Sequence, residues 1–262
     1  MKTFINWKVF VILWVAAVLS LIAVFPYSLE LQSSTLATLE LPFPLPVVLA
    51  IQTGQNAILF AIMIFIGMIL MKRIGLSVPV LDTIAQGKSA SDKLRAVLPI
   101  SIVLGITAAL LIVGLDVFAF HPVMLNVLGD KANALTLSAQ PAAWKGFLSS
   151  FYGGIAEEIQ LRLLVMSLIA WLGSFISKTS DGKPTSASFW IANILTAVLF
   201  GLGHLPATAN LIPLTPLVIT RTIVLNGVGG VIFGWLYWKR GLESAMVAHF
   251  SADIILHVLF AL

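Results

Sequence analysis

Two carboxylates and a guanidinium occur together in Glu157-Glu158-Ile159-Gln160-Leu161-Arg162, inside the otherwise apolar stretch from Phe147 to Ser177. On an α-helix Glu158 and Arg162 are four apart and share a face, while Glu157 is turned about 100° away. The spacing predicts one paired carboxylate and one available for chemistry. A second group, Phe200-Gly201-Leu202-Gly203-His204, ends another apolar run. Its glycines remove bulk and let a helix or a substrate backbone approach, so His204 is expected beside open space. In the third group His249, Asp253 and His257 stand at i, i+4 and i+8, which gives one helical face an imidazole, a carboxylate and an imidazole.

Each group has a structural reading beside the chemical one. Glu158 and Arg162 can simply neutralise each other while Glu157 bonds a neighbouring helix. A histidine followed by Pro206 can mark an ordinary helix end. A His-Asp-His stripe can be a hydrogen-bond ladder or a proton relay. Taken together, one free carboxylate and two or three imidazoles on separate segments are the groups that activate water. Several other chemistries are absent from the sequence. It has no His-Glu-x-x-His helix, no Gly-x-Ser-x-Gly elbow and no Gly-x-x-x-x-Gly-Lys phosphate cradle. Gly129-Asp130 falls in a loop without a membrane aspartate to pair with. Zero cysteines remove disulfides, thiolate nucleophiles and Cys-type metal sites together.

The elements that must position these groups are membrane helices. Hydrophobic residues make up 59% of the 262 positions and charged residues 10%, against roughly 25% charge in soluble domains. A crossing needs about 20 apolar residues. Seven runs qualify: Val9 to Leu29, Val47 to Met71, Val97 to Leu115, Phe147 to Ser177, Ser188 to Leu205, Leu217 to Trp238 and Ser244 to Leu262. The first exceeds a signal peptide's apolar core of about 7–15 residues and reads as a retained anchor. The expected fold is all-α, a polytopic transmembrane bundle of about seven spans.

Lys and Arg collect on alternate loops: Lys2, Lys8, the run from Lys72 to Arg95, Lys178, Lys183, Lys239 and Arg240 on one side, only Lys131 and Lys145 on the other. Basic loops stay cytoplasmic, so the N-terminus is expected inside and the C-terminus outside. The net charge of +4 is thereby a matter of topology and gives no reason to expect nucleic acid as a partner. Residues 1–95 form a two-span region with a cytoplasmic loop, and 96–262 a five-span remainder. The long outer segment from Asp116 to Lys145, with Pro122, Gly129 and Pro141, is expected to hold a short interfacial helix.

In their order, the three groups resemble the Glu-Glu-x-x-x-Arg, Phe-x-x-x-His and His-x-x-x-Asn/Asp motifs of the CPBP family. That family comprises the type II CAAX prenyl endopeptidases and bacteriocin-processing or immunity membrane proteins. The resemblance covers about Trp144 to Leu262. It implies an intramembrane endopeptidase that hydrolyses a membrane-associated peptide or protein, with Glu157 as the general base, His204 assisting, His249 and Asp253 completing the site, and Glu158 and Arg162 as support. Asp253 stands where family members often have Asn, which leaves it either a hydrogen-bond partner or a cation ligand. Glu157, His204, His249 and Asp253 would suit a zinc ion or water activation without one. The rival readings are a non-proteolytic immunity or scaffold protein and a proton-coupled transporter using Glu157, Arg162, Asp253 and His257. The short loops suggest a prokaryotic plasma membrane. One geometric demand follows: on ideal helices His204 lies about 24 Å along its span from Ser188, while His249 lies only about 9 Å from Glu243. To meet, one span must be tilted or displaced.

Overall fold

The structure is a computed structural model that describes residues 5–136 and 140–261. Lys2 and Leu262, which the sequence reading placed in the first basic segment and at the end of the seventh span, lie outside the described residues. Helix α1 (Trp7–Ala23) breaks at Val24 and continues as α2 (Phe25–Leu31), with Pro26 in its first turn, followed by the single turn α3 (Ser33–Leu36). A long helix, α4 (Leu45–Arg73), leads to the short α5 (Pro79–Ala85) and then to α6 (Ser91–Leu115). Through a π-wound stretch (Asp116–Phe120), α6 runs on into α7 (His121–Leu128). That helix answers the expected short helix in the outer segment.

The next crossing begins as α8 (Ala143–Phe151), is π-wound over Tyr152–Glu157 and Ile159–Met166, and ends as α9 (Ser167–Ile176). Helices α10 (Ser186–Gly203) and α11 (Leu205–Ala209), then α12 (Pro216–Arg240), complete the lipid-facing set. Thr185 and Thr215 cap α10 and α12 by accepting from the backbone N–H groups of Ser188 and Val218. Gly241, at φ 102°, turns the chain back within one residue into α13 (Leu242–Asp253), which continues as a π-turn (Ile254–Val258). Only glycine enters that conformation cheaply.

Among the described residues six helical runs are long and apolar enough to cross a membrane, and their outward residues, such as Leu19, Ile58, Val103 and Ile194, are exposed as lipid-facing side chains should be. The chain is a multi-pass membrane protein. The seventh predicted span is represented by α13 and its continuation, outside those six. The difference has a physical reason. Helix α13 carries Glu243, His249 and Asp253 and is wrapped by protein, with most of its residues buried, so it is the polar centre of the bundle instead of another lipid-facing wall.

The helix packing depends on small residues. A Cβ at Gly201 would stand 2.6 Å from Ile223 Cα, and one at Gly230 2.8 Å from Ala197 Cβ, so α10 and α12 pack with their backbones close. Gly203, by contrast, has no atom within 4 Å of the Cβ position. At one end of the bundle Lys8 Nζ donates to Ala85 O (3.3 Å) and Lys183 Nζ to Arg73 O (3.1 Å). There the Glu243 carboxylate accepts from the N–H groups of Val80 (3.0 Å) and Leu81 (2.9 Å) at the start of α5. At the opposite end Arg221 grips Asp116 through Nε (2.7 Å) and Nη2 (2.6 Å) and donates to Leu135 O (3.1 Å). Lys145 pairs with Glu30 there.

Candidate active site

Glu158 and Arg162 are fully buried, and their Oε2 and Nε atoms are 3.2 Å apart, the i,i+4 pair that the spacing predicts. Arg162 Nη2 also donates to Gly230 O (3.1 Å), and its guanidinium lies over the rings of Phe200 (5.3 Å) and Phe233 (5.8 Å). The second oxygen of Glu158 accepts from His249 Nδ1 at 2.8 Å. One carboxylate therefore joins two helices, compensating a buried cation and orienting an imidazole at once.

The expectation for Glu157 needs correction. On a regular α-helix it would point about 100° away from Glu158. Here the segment is π-wound on both sides of Glu158, so each residue advances by less than an α-helical step. Both carboxylates lie beside the same imidazole, at different ring nitrogens: Glu158 at Nδ1, and Glu157, with its side chain 21% exposed, with Oε2 3.7 Å from Nε2. Asp253 Oδ1 approaches the same Nε2 to 3.6 Å. Those separations are too long for direct hydrogen bonds. Glu157 holds no hydrogen bond among the described residues. The ring of His249 is stacked on Phe233, centroids 4.6 Å apart and planes 21° apart.

Gly153 and Gly154, which the sequence reading did not single out, make this approach possible. A Cβ at Gly153 would collide with the Asp253 carboxyl and stand 3.1 Å from His249 Nε2; one at Gly154 would stand 2.9 Å from Phe250 Cβ. The signal was there, two adjacent glycines just ahead of the Glu pair, but only knowledge of the opposing helix gives it meaning.

His204 caps α10 and stands apart from the others. Its Nδ1 donates to Phe200 O at 2.9 Å, and the Phe200 ring stands edge-on between the two imidazoles, 4.7 Å from His204 and 5.4 Å from His249. The Phe200 ring bridges the two imidazoles, and no hydrogen bond or ion pair joins His204 to Glu157 or Asp253 among the described residues. His257 continues the stripe, with Nε2 3.9 Å from Asp253 Oδ1.

Among the described residues no three His, Asp or Glu side chains are grouped closely enough to hold a metal ion; His204 and His249 each commit Nδ1, to Phe200 O and to Glu158, and leave Nε2 free.

Neither a curated protein nor a solved structure matches the chain. A family model does match, over somewhat less than half of the chain. Residues 139–255, which hold Glu157, Glu158, Arg162, His204, His249 and Asp253, are similar to the family described as Type II CAAX prenyl endopeptidase Rce1-like.

Proposed function

We propose that the protein is an intramembrane endopeptidase of the CAAX-protease type, in which Glu157 activates the attacking water with His204 assisting. The observation that carries this reading is the unequal use of two adjacent carboxylates. Glu158 is buried and spent on Arg162 and His249. Glu157, partly exposed and 3.7 Å from His249 Nε2, holds no hydrogen bond among the described residues.

A water bound at the exposed edge of Glu157 gives it a proton as the water oxygen attacks the scissile carbonyl carbon. His249, fixed by Glu158, and Asp253 hold the water's remaining bonds. As the carbon–nitrogen bond breaks, protonated Glu157 returns the proton to the leaving amine. His204 has its Nδ1 proton committed to Phe200 O, which leaves Nε2 as the ring atom that exchanges with the substrate. The substrate is a membrane-associated peptide or protein, and the setting is a prokaryotic plasma membrane with the N-terminus and the basic loops inside. The transporter reading is disfavoured because Arg162 is fully buried and locked among Glu158, Gly230 and two aromatic rings.

The test uses purified protein in nanodiscs with a quenched farnesylated CAAX peptide, and a comparison of membrane peptides between wild-type and Glu157→Ala cells. Glu157→Ala should retain the fold and lose about 10²–10⁴-fold in cleavage rate. Zinc content is measured on the same preparations. If neither assay yields a processed species and the biological phenotype survives Glu157→Ala, the protein is a binding or immunity factor.

A further inference from the structure

At the basic end of the bundle two adjoining hollows lie where α1, α4 and α5 meet. The larger, about 550 Å³, is walled by Trp7, Val11, Ile12 and Ile84. The smaller, about 340 Å³, is lined by Asn6, Lys8 and Lys72. Trp7, Lys8 and Ala85 border both, so the two form one groove that is polar at the start of α1 and apolar along its next turn. Each volume falls within the range of about 300–1,000 Å³ typical of small-molecule sites.

The walls are fixed before any ligand arrives. The Trp7 ring is held by Phe10 (5.4 Å) and by Phe65 of α4 (6.3 Å). Lys8 Nζ donates to Ala85 O, the last residue of α5, at 3.3 Å, which places the ammonium where the two hollows join. That bond uses one of its three N–H donors. No lining side chain among the described residues is acidic, so the polar part of the groove is complementary to an anion. The apolar part faces outward: Val11, Ile12 and Ile84 are all exposed, and on a membrane helix such side chains meet acyl chains instead of water. A tryptophan at the start of a span marks the headgroup level, and basic pockets between membrane helices recognise anionic headgroups.

We propose that this groove binds one anionic phospholipid, its phosphate in the polar hollow with Lys8 and Lys72 and an acyl chain along Val11, Ile12 and Ile84. The bound lipid joins α1 and α4 to the end of α5, whose beginning is held by Glu243 of α13. The site is independent of the peptidase reading, and its test requires no cleavage.

The experiment is native mass spectrometry of the full chain in detergent with equimolar phosphatidylglycerol and phosphatidylcholine. One phosphatidylglycerol should be retained in preference. Lys8→Gln and Lys72→Gln should each weaken its binding about fivefold, and together about twenty-five-fold. Ile84→Trp, which fills the apolar hollow from an exposed position, should lower retention at least tenfold. Lys178→Gln at the same end and Lys131→Gln at the other remove the same charge outside the groove and should leave retention unchanged. In parallel, phosphatidylglycerol with a diazirine in its acyl chain, reconstituted with the unmodified protein, should crosslink to peptides containing residues 7–12 and 84–85; this arm needs no variant. Equal retention of the two lipids by the wild type would overturn the proposal, as would crosslinks confined to other helices. Losses in Lys178→Gln and Lys131→Gln as large as in Lys8→Gln would overturn it too, because the attraction would then belong to the overall charge and not to this groove.

Discussion

Glu158 needs two acceptor faces, one for the His249 Nδ1 proton and one for the Arg162 guanidinium. A glutamine offers only one, because its other face is an NH₂ donor. Glu158→Gln must therefore abandon His249 or turn a donor towards a buried arginine. Breaking a buried ion pair from one side costs about 3–5 kcal/mol, so this variant should unfold well below the wild-type temperature in a detergent melt. Glu157→Gln, at a partly exposed site without a hydrogen-bond partner, should melt with the wild type while losing cleavage. Equal melting temperatures for the two variants would defeat that division of labour. The Glu158–Arg162 half was legible in the sequence because both partners lie on one turn, where spacing alone fixes proximity. The His249 half was not, since a contact between residues 158 and 249 depends on how two helices are packed. His204 shows the same limit: its spacing placed it four residues after Phe200, while Phe200 as the ring bridging it to His249 required the tertiary structure.

Helical winding decided where Glu157 points. A periodicity of 3.6 assigned Glu157 and Glu158 to different faces, and the π-wound stretch put both against one imidazole. Nothing in the local residue types announces that winding, and Gly153 and Gly154, where α13 packs closest, lie within it. The crossings themselves were read well, because apolar runs of span length have few alternatives in a bilayer. The seventh was harder, since its polar residues mark it as interior. If the close approach at Gly153 sets the site, Gly153→Ala should push the Asp253 carboxyl and His249 apart. Overpacking of this kind costs about 1–3 kcal/mol, and cleavage should fall at least tenfold as the catalytic groups shift. Gly54→Ala, on α4 with no atom within 4 Å of the new methyl, is the matched control and should be neutral or stabilising by up to about 1 kcal/mol. Full activity in Gly153→Ala would mean that the helices can separate without consequence, contrary to this account.

At the scale of the whole molecule, α13 is tethered at both ends by segments that the three motifs do not include. Tyr27 of α2 reaches its far end through His257, and α5 holds its start through Glu243, whose Oε1 accepts from the N–H groups of both Val80 and Leu81. In the sequence Glu243 served only to mark where a span begins; its partners lie more than 160 positions away, beyond the reach of any local pattern. Helix α5 has seven residues and its first N–H groups have no intrahelical acceptors, so the carboxylate completes it. Glu243→Ala would leave two amides without their acceptor, at about 1–3 kcal/mol for each that stays buried, whereas Glu243→Gln keeps an oxygen for them. Hydrogen exchange at Val80 and Leu81 should accelerate at least tenfold in the alanine variant and much less in the glutamine variant. Protease cleavage within residues 74–90 should rise in parallel. Because α13 carries His249 and Asp253 only two to three turns from this anchor, peptide cleavage should fall with the same ranking. Unchanged exchange at Val80 and Leu81 in Glu243→Ala would show that α5 is held by its apolar contacts alone, and that the site does not depend on a tether at this end of the bundle.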